Sequence, residues 1–174
     1  MEQVFNKNPL LIQRVSKNKY KVESEMSCGK IDVRKLLEFK HVHILKELNQ
    51  DIIENVCIYN IYNNFASLFI EYKHFLKDFG FPKFGANLSL ERIENDKSIC
   101  FVCSNNNNTQ HISSSCTILP ITDLFFNIEI SSKIKIDINF ELDITFDIPQ
   151  FVEKFVFHIL HKMFMRVKEF IEIS

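Results

Sequence analysis

The chain has 174 residues, 46% of them hydrophobic, enough to bury the core of one globular domain. Its 21 basic and 22 acidic residues are interspersed, sum to a formal net charge of -1 and form no basic block, which argues against nucleic acid as a partner. Five cysteines at irregular spacing (Cys28, Cys57, Cys100, Cys103, Cys116) make no disulfide framework and fit a reducing compartment; residues 9–12 are too short for a signal-peptide core. No run approaches the ~18 apolar residues of a membrane span, so a soluble or at most peripheral protein without a transmembrane segment is expected.

In chain order, residues 1–18 are expected as a tail of uncertain order, followed by a single domain over residues 19–174. The stretch YKVESEMS alternates weakly through Tyr20, Val22 and Met26 and predicts a first strand that Gly29 ends. Asp32 is a candidate N-cap before Val33, Leu36 and Leu37, and HVHILKEL continues the helical texture, so one or two short helices follow. From ENVCIYNIYNNF the β-branched and aromatic residues predict strand, whereas ASLFIEYKHFLKDFGF fits either period. Gly80, Pro82 and Gly85 punctuate a turn before Leu88, Leu90 and Ile93 resume alternation. ENDK and NNNNTQ then read as short hairpin turns into SICFVCS and HISSSCTIL, and Ser131 and Ser132 as a third tight turn after PITDLFFNIEI.

Residues 133–148 alternate without a break, apolar at every even position from Ile134 to Ile148 and charged or polar at every odd one. A sixteen-residue strand would span roughly 53 Å, so it must coil or carry a bulge. The chain closes with about 23 residues of unbroken helical period, roughly 34 Å long. On a helical wheel Val152, Phe155, Val156, Ile159, Met163, Val167 and Phe170 share one side, and Phe157, Leu160, Phe164 and Ile171 widen the arc. Such a helix is buried broadly, against a curved surface. The order of elements predicts an α+β fold: a curved antiparallel sheet wrapped around a long C-terminal helix, with one or two short helices after the first strand.

Three segments carry a resemblance: IDVRKLLE, then FLKDFGFPKFGANLSLERI, and above all INFELDITFDIPQFVEKFVFHILHKMFMRVKEFI. Together they resemble the helix-grip superfamily, which includes START lipid-transfer domains, the birch-pollen allergen family and polyketide cyclases, and more narrowly a branch of it found in cyanobacteria and plastids. The chain departs from that branch in having one proline, Pro149, where several often stand, and in its Phe and Ile content. The resemblance implies an apolar cavity between helix and sheet and brings no catalytic set with it. Abundant Ile, Asn, Lys and Phe, with only Ala66 and Ala86 as alanines, suit an AT-rich genome. With the resemblance, this makes the plastid stroma or another reducing organellar or cytoplasmic compartment the expected location. An organelle-encoded protein would need no transit peptide, which matches the bare N-terminus.

The remaining constellations have bland readings. Cys100 and Cys103 have CxxC spacing, but on a strand they point to opposite faces. His158 and His161, three apart on the terminal helix outside its apolar arc, read as surface residues without a third ligand, as do His41 and His43. Asp137, Glu141, Asp143 and Asp147 lie on a strand face where neighbours two apart are about 7 Å from each other, too far for one shared metal, and read as a solvated face that lysines of the next strand can pair. No metal and no cofactor is expected.

The even residues of the long strand and the helix opposite are the expected ligand walls: Ile138, Phe140, Leu142, Ile144, Phe146, Phe155, Ile159 and Met163. The expected function is non-enzymatic binding or carriage of an apolar small molecule, a lipid, isoprenoid or pigment, between sheet and helix. The alternative is an interaction or assembly protein at a membrane surface, such as a peripheral subunit of a photosynthetic complex, using the helix and residues 65–81 for contact. An enzyme of cyclase or hydratase type would need polar groups inside the pocket, for which Tyr59, Tyr62 and Tyr72 are the candidates.

Overall fold

The computed structural model describes residues 1–110, 112, 113 and 115–174. Among these described residues ten strands form one sheet: β1 (Glu2–Lys7), β2 (Leu10–Ser16), β3 (Lys19–Ser27), β4 (Ile53–Tyr62), β5 (Phe65–Tyr72), β6 (Lys83–Glu94), β7 (Ser98–Asn105), β8 (Cys116–Ile118), β9 (Ile121–Ile130) and β10 (Lys133–Leu142). Two short helices, α1 (Val33–Leu36) and α2 (His43–Leu48), follow β3, and α3 (Gln150–Ile173) ends the chain. The spatial order is β1-β2-β3-β10-β9-β7-β6-β5-β4, every neighbouring pair antiparallel, with β8 added parallel to β6. The segment containing α1 and α2 carries the chain from β3, near the middle of the sheet, to the edge strand β4. From there a meander returns to β10, which closes against β3.

Asp32 caps α1 as expected, its carboxylate accepting from the backbone N–H groups of Arg34 and Lys35. Gly80 has φ 77, the left-handed turn conformation that favours glycine. The ambiguous stretch resolves into β5 and a 3-10 turn at Lys77–Phe79.

Several expectations are corrected. The segment expected as a tail of uncertain order forms a hairpin, β1 and β2, because Leu10 and Ile12 pair into β3 and are fully buried on its helix-facing side. The Asn-rich segment is no hairpin turn: β7 pairs with β6 and β9, and the chain crosses over to lay β8 along β6. Of the strand expected at HISSSCTIL, His111 and Ser114 lie outside the described residues. Gly85 lies inside β6 rather than in the turn; a Cβ there would stand 2.6 Å from Cys116 Sγ and 3.0 Å from the Ile70 carbonyl oxygen, so it permits β8 to approach.

The long alternating run is a strand only to Leu142, after a register shift at Glu141/Leu142. Both neighbours stop there: β9 begins at Ile121 beside Pro120, which has no N–H, and β3 begins after Asn18, a left-handed turn residue. Without partners the alternation in residues 143–148 cannot be a ladder. Asn18 holds this segment instead, its side-chain amide donating to the Ile144 carbonyl and its own carbonyl accepting from Leu142 N–H. Ile144 and Phe146 are therefore not on the strand, and Phe146 is 59% exposed.

On β10 itself the two faces are as read. Ile134 and Ile138 are buried. The odd residues meet lysines and acids of the flanking strands, Lys21 with Asp137 at 3.9 Å and Lys19 with Glu141 at 3.4 Å. These exposed pairs are each worth at most about 1 kcal/mol.

Candidate functional site

The sheet curves around α3, which packs on β1, β2, β3 and α2. Its buried residues are Val152, Glu153, Phe157 and Ile171. The helix is rolled relative to the sequence-based wheel. Phe155 and Val156 are exposed, because the β1–β3 side of the sheet covers the flank of Phe157, Leu160 and Phe164, leaving the Phe155 flank to the loop after β5. There Phe155 meets Phe75 with ring centroids 5.9 Å apart, and Phe151 meets Phe79 at 5.2 Å.

Beneath α3 the interior divides into three buried clusters. The first, built on β4–β7, takes Ile159 and Met163 from α3; the second, on β2, β3 and β10, takes Phe157, Leu160 and Phe164; the third, around Met26, Val33 and Ile134, takes Val167, Phe170 and Ile171. The residues shared between clusters are Phe101, Leu124, Phe126, Ile136 and Phe164, and all five are only partly buried although they face the interior. Close packing in a filled core would bury such central aromatic and aliphatic groups fully. The middle of the concave face, under the helix, thus keeps some apolar surface incompletely buried.

The eight predicted walls do not form one surface. Ile138 is buried in the second cluster, where half-buried Phe140 stacks on Tyr20 with centroids 5.2 Å apart, whereas Ile159 and Met163 belong to the first. Leu142 and Ile144 are half-buried where the chain leaves the sheet, Phe146 points to solvent, and Phe155 is 36% exposed. Two open surface depressions lie elsewhere. One of about 360 Å³ beside Leu48, Arg166 and Phe170 sits at the end of α3, and one of about 340 Å³ sits beside Phe39, Ile61 and Arg92.

Polar groups hold α3 at both flanks and at its end. Near its start, the Glu153 carboxylate accepts from the Tyr20 hydroxyl at 2.6 Å and from Arg14 at 2.6 and 2.7 Å, while Arg14 also meets Glu2. Burial, then the hydrogen bond to Glu153, pushes the Tyr20 phenol up to about 12. Midway, Asp51 pairs with Arg166 and Lys162, which hold its carboxyl well below the usual range. At the end, Glu172 accepts from Ser27 N–H and the Ser174 carbonyl from Lys30 N–H. These residues are the part that sequence reasoning missed. The available signals were Glu153 amid Val152 and Phe157, and the polar Ser24 between Val22 and Met26 on an otherwise apolar strand face.

Other candidates have structural places. Cys103 is buried, its thiol pushed up to about 12 by burial, while Cys100 on the other face donates to Asn127 at 3.2 Å. His158 and His161 flank Phe5 of β1 at 5.4 and 5.7 Å, and His161 Nε2 lies 2.9 Å from the Asn8 carbonyl. Among the pocket tyrosines, Tyr62 is exposed, Tyr59 bonds to Asn87 and Asn106 on the outer side, and burial pushes Tyr72 up to about 12. A phenol held there keeps its proton through the neutral range and can donate a hydrogen bond but not act as a base.

This architecture is the helix-grip fold. The chain superposes on the human StarD13 (DLC2) lipid transfer and protein localization domain with TM-score 0.68 at 12% identity, covering 94% of this chain and 83% of that one. It matches a STAR-related lipid transfer protein fragment from Xanthomonas axonopodis with TM-score 0.72 at 6% identity, over 98% and 97% of the two chains. The ginseng major latex-like protein 151 from Panax ginseng gives TM-score 0.51 at 10% identity, over 88% and 97%. No protein-family model and no curated protein sequence matches the chain.

Proposed function

We propose that this protein binds and carries a hydrophobic ligand, of the lipid, isoprenoid or pigment type, between the concave face of the sheet and α3. The observation that carries the reading is the set of central residues Phe101, Leu124, Phe126, Ile136 and Phe164, apolar, inward-facing and incompletely buried beneath a helix that covers them. Filling that space removes apolar surface from water at roughly 25 cal/mol per Å² before ordering costs. The fold shared with proteins described as lipid transfer domains supports the same reading. Native mass spectrometry after gentle purification, with uptake of a pyrene-labelled lipid from phosphatidylcholine vesicles, tests it. A co-purifying apolar mass or saturable uptake is expected; ligand-free protein that takes up no probe would sink it.

A second reading, contact with a membrane-bound complex, has one observation in its favour. Phe79, Phe151 and Phe146, at 64%, 50% and 59% exposure, lie around the start of α3 and the loop beside it. Large exposed aromatics are the kind of surface that such a contact would use. The plastid or other reducing location rests on composition and resemblance, and fractionation of the source cells decides it. Among the described residues no helix is long and apolar enough to cross a membrane.

A further inference from the structure

The helix-facing positions of β3 are Tyr20, Val22, Ser24 and Met26, all buried, with Ser24 6% exposed. Ser24 is flanked across the ladder by Leu10 of β2 and Ile136 of β10. It stands between the second and third apolar clusters, which share Ile136 and Phe164. Its hydroxyl oxygen is buried and has no hydrogen-bond partner among the described residues. The other buried polar side chains are engaged: Asn18 with Ile144, Asn49 with Leu45 and Arg166, Glu71 with Lys83, Asn87 with Asn106 and Asn108, and Glu153 with Tyr20 and Arg14. A buried hydroxyl left unpaired is a standing cost, and an incoming hydrogen-bonding atom would relieve it.

The neighbours of Ser24 named above are apolar and bring no charge, and three arginines elsewhere in the fold are already engaged, which narrows what that atom can belong to. Arg14 is committed to Glu153 and Glu2, Arg92 to the carbonyls of Leu37 and Arg34 and to Glu94, and Arg166 to Asp51. A carboxylate or phosphate brought to Ser24 would lose its water without gaining a counter-charge, a heavy penalty in an apolar interior. A neutral oxygen pays no such penalty. Resting on the ligand-carrying reading above, we infer that Ser24 Oγ is the polar contact for a neutral, mostly hydrocarbon ligand bearing one oxygen, an alcohol or ketone on an isoprenoid-like frame.

The test offers phytol, phytane and palmitate together to the full chain, wild type and Ser24→Ala, and reads occupancy by native mass spectrometry. Wild type should favour the alcohol over the hydrocarbon by roughly fivefold, the worth of one neutral hydrogen bond. Ser24→Ala should lose that preference while still binding the hydrocarbon, Ser24→Cys should fall between, and ligand-free Ser24→Ala should melt higher than wild type. Preference for palmitate, or equal binding of alcohol and hydrocarbon by wild type, overturns the assignment of Ser24 while leaving carriage intact. Binding of none of the three overturns the carriage reading and this inference with it.

Discussion

The Tyr20 hydroxyl donates to Glu153 Oε1 at 2.6 Å, tying β3 to the first turn of α3 across 133 positions of sequence. Arg14 of β2 grips both oxygens of the same carboxylate, so one mostly buried acid joins three elements. Glu153→Gln keeps the shape but removes the charge that Arg14 faces. It should lower stability by about 1–3 kcal/mol in urea unfolding. A double-mutant cycle with Tyr20→Phe should show coupling, since the two share one hydrogen bond. Additive losses would mean that the contact holds nothing.

The same phenol sets an alkaline limit. Tyr20 and Tyr72 are both raised from 10.0 to about 12 in the folded protein. Stability from each is therefore intact below the unfolded value and is lost as pH rises toward the folded one. Thermal melts of wild type should fall across this interval, and Tyr72→Phe should flatten the fall. A parallel decline in the variant would contradict it.

Asp51 acts at the opposite limit. Paired with Arg166 and Lys162, its carboxyl is depressed below the ordinary 3.8, so its contribution is present above that value and disappears as pH falls through the folded one. Its side chain is 48% exposed, and water screens the pair. Asp51→Asn should melt below wild type near neutrality, with the gap closing as pH drops below about 4. A gap of constant size would assign the loss to packing instead.

Gly29 seats the far end of α3. A Cβ there would stand 1.9 Å from the Ile171 carbonyl oxygen and 3.0 Å from that of Ser174, backbone atoms that cannot step aside as a side chain would. Gly29→Ala should free the last turn, speeding amide exchange at Lys30, whose N–H donates to Ser174, while the sheet stays protected. Unchanged exchange there would show that the C-terminus carries no such contact.

Wherever a pattern is local, it was legible. The period of β10 placed Ile134 and Ile138 inside and Asp137 and Glu141 outside, because side chains on a strand alternate whatever its neighbours are. Asp32 announced its own cap, and the terminal helix its length. The resemblance then fixed how these parts combine into a helix-grip fold.

Tertiary structure decided where patterns stop and which residues meet. Residues 143–148 continue the alternation of β10, yet they leave the sheet, because a strand needs partners and both had ended. The wheel found the apolar arc of α3 but not its roll, which depends on how far the β1–β3 side curls over the helix and leaves Phe155 outside. Arg14, Tyr20 and Glu153 each read alone as an ordinary polar residue; only the ladder joining β2 to β3 and the crossing of α3 bring them together. Ser24 is the same case inverted. Its sequence shows a polar residue on an apolar face, and only the fold shows that, among the described residues, nothing answers its hydroxyl.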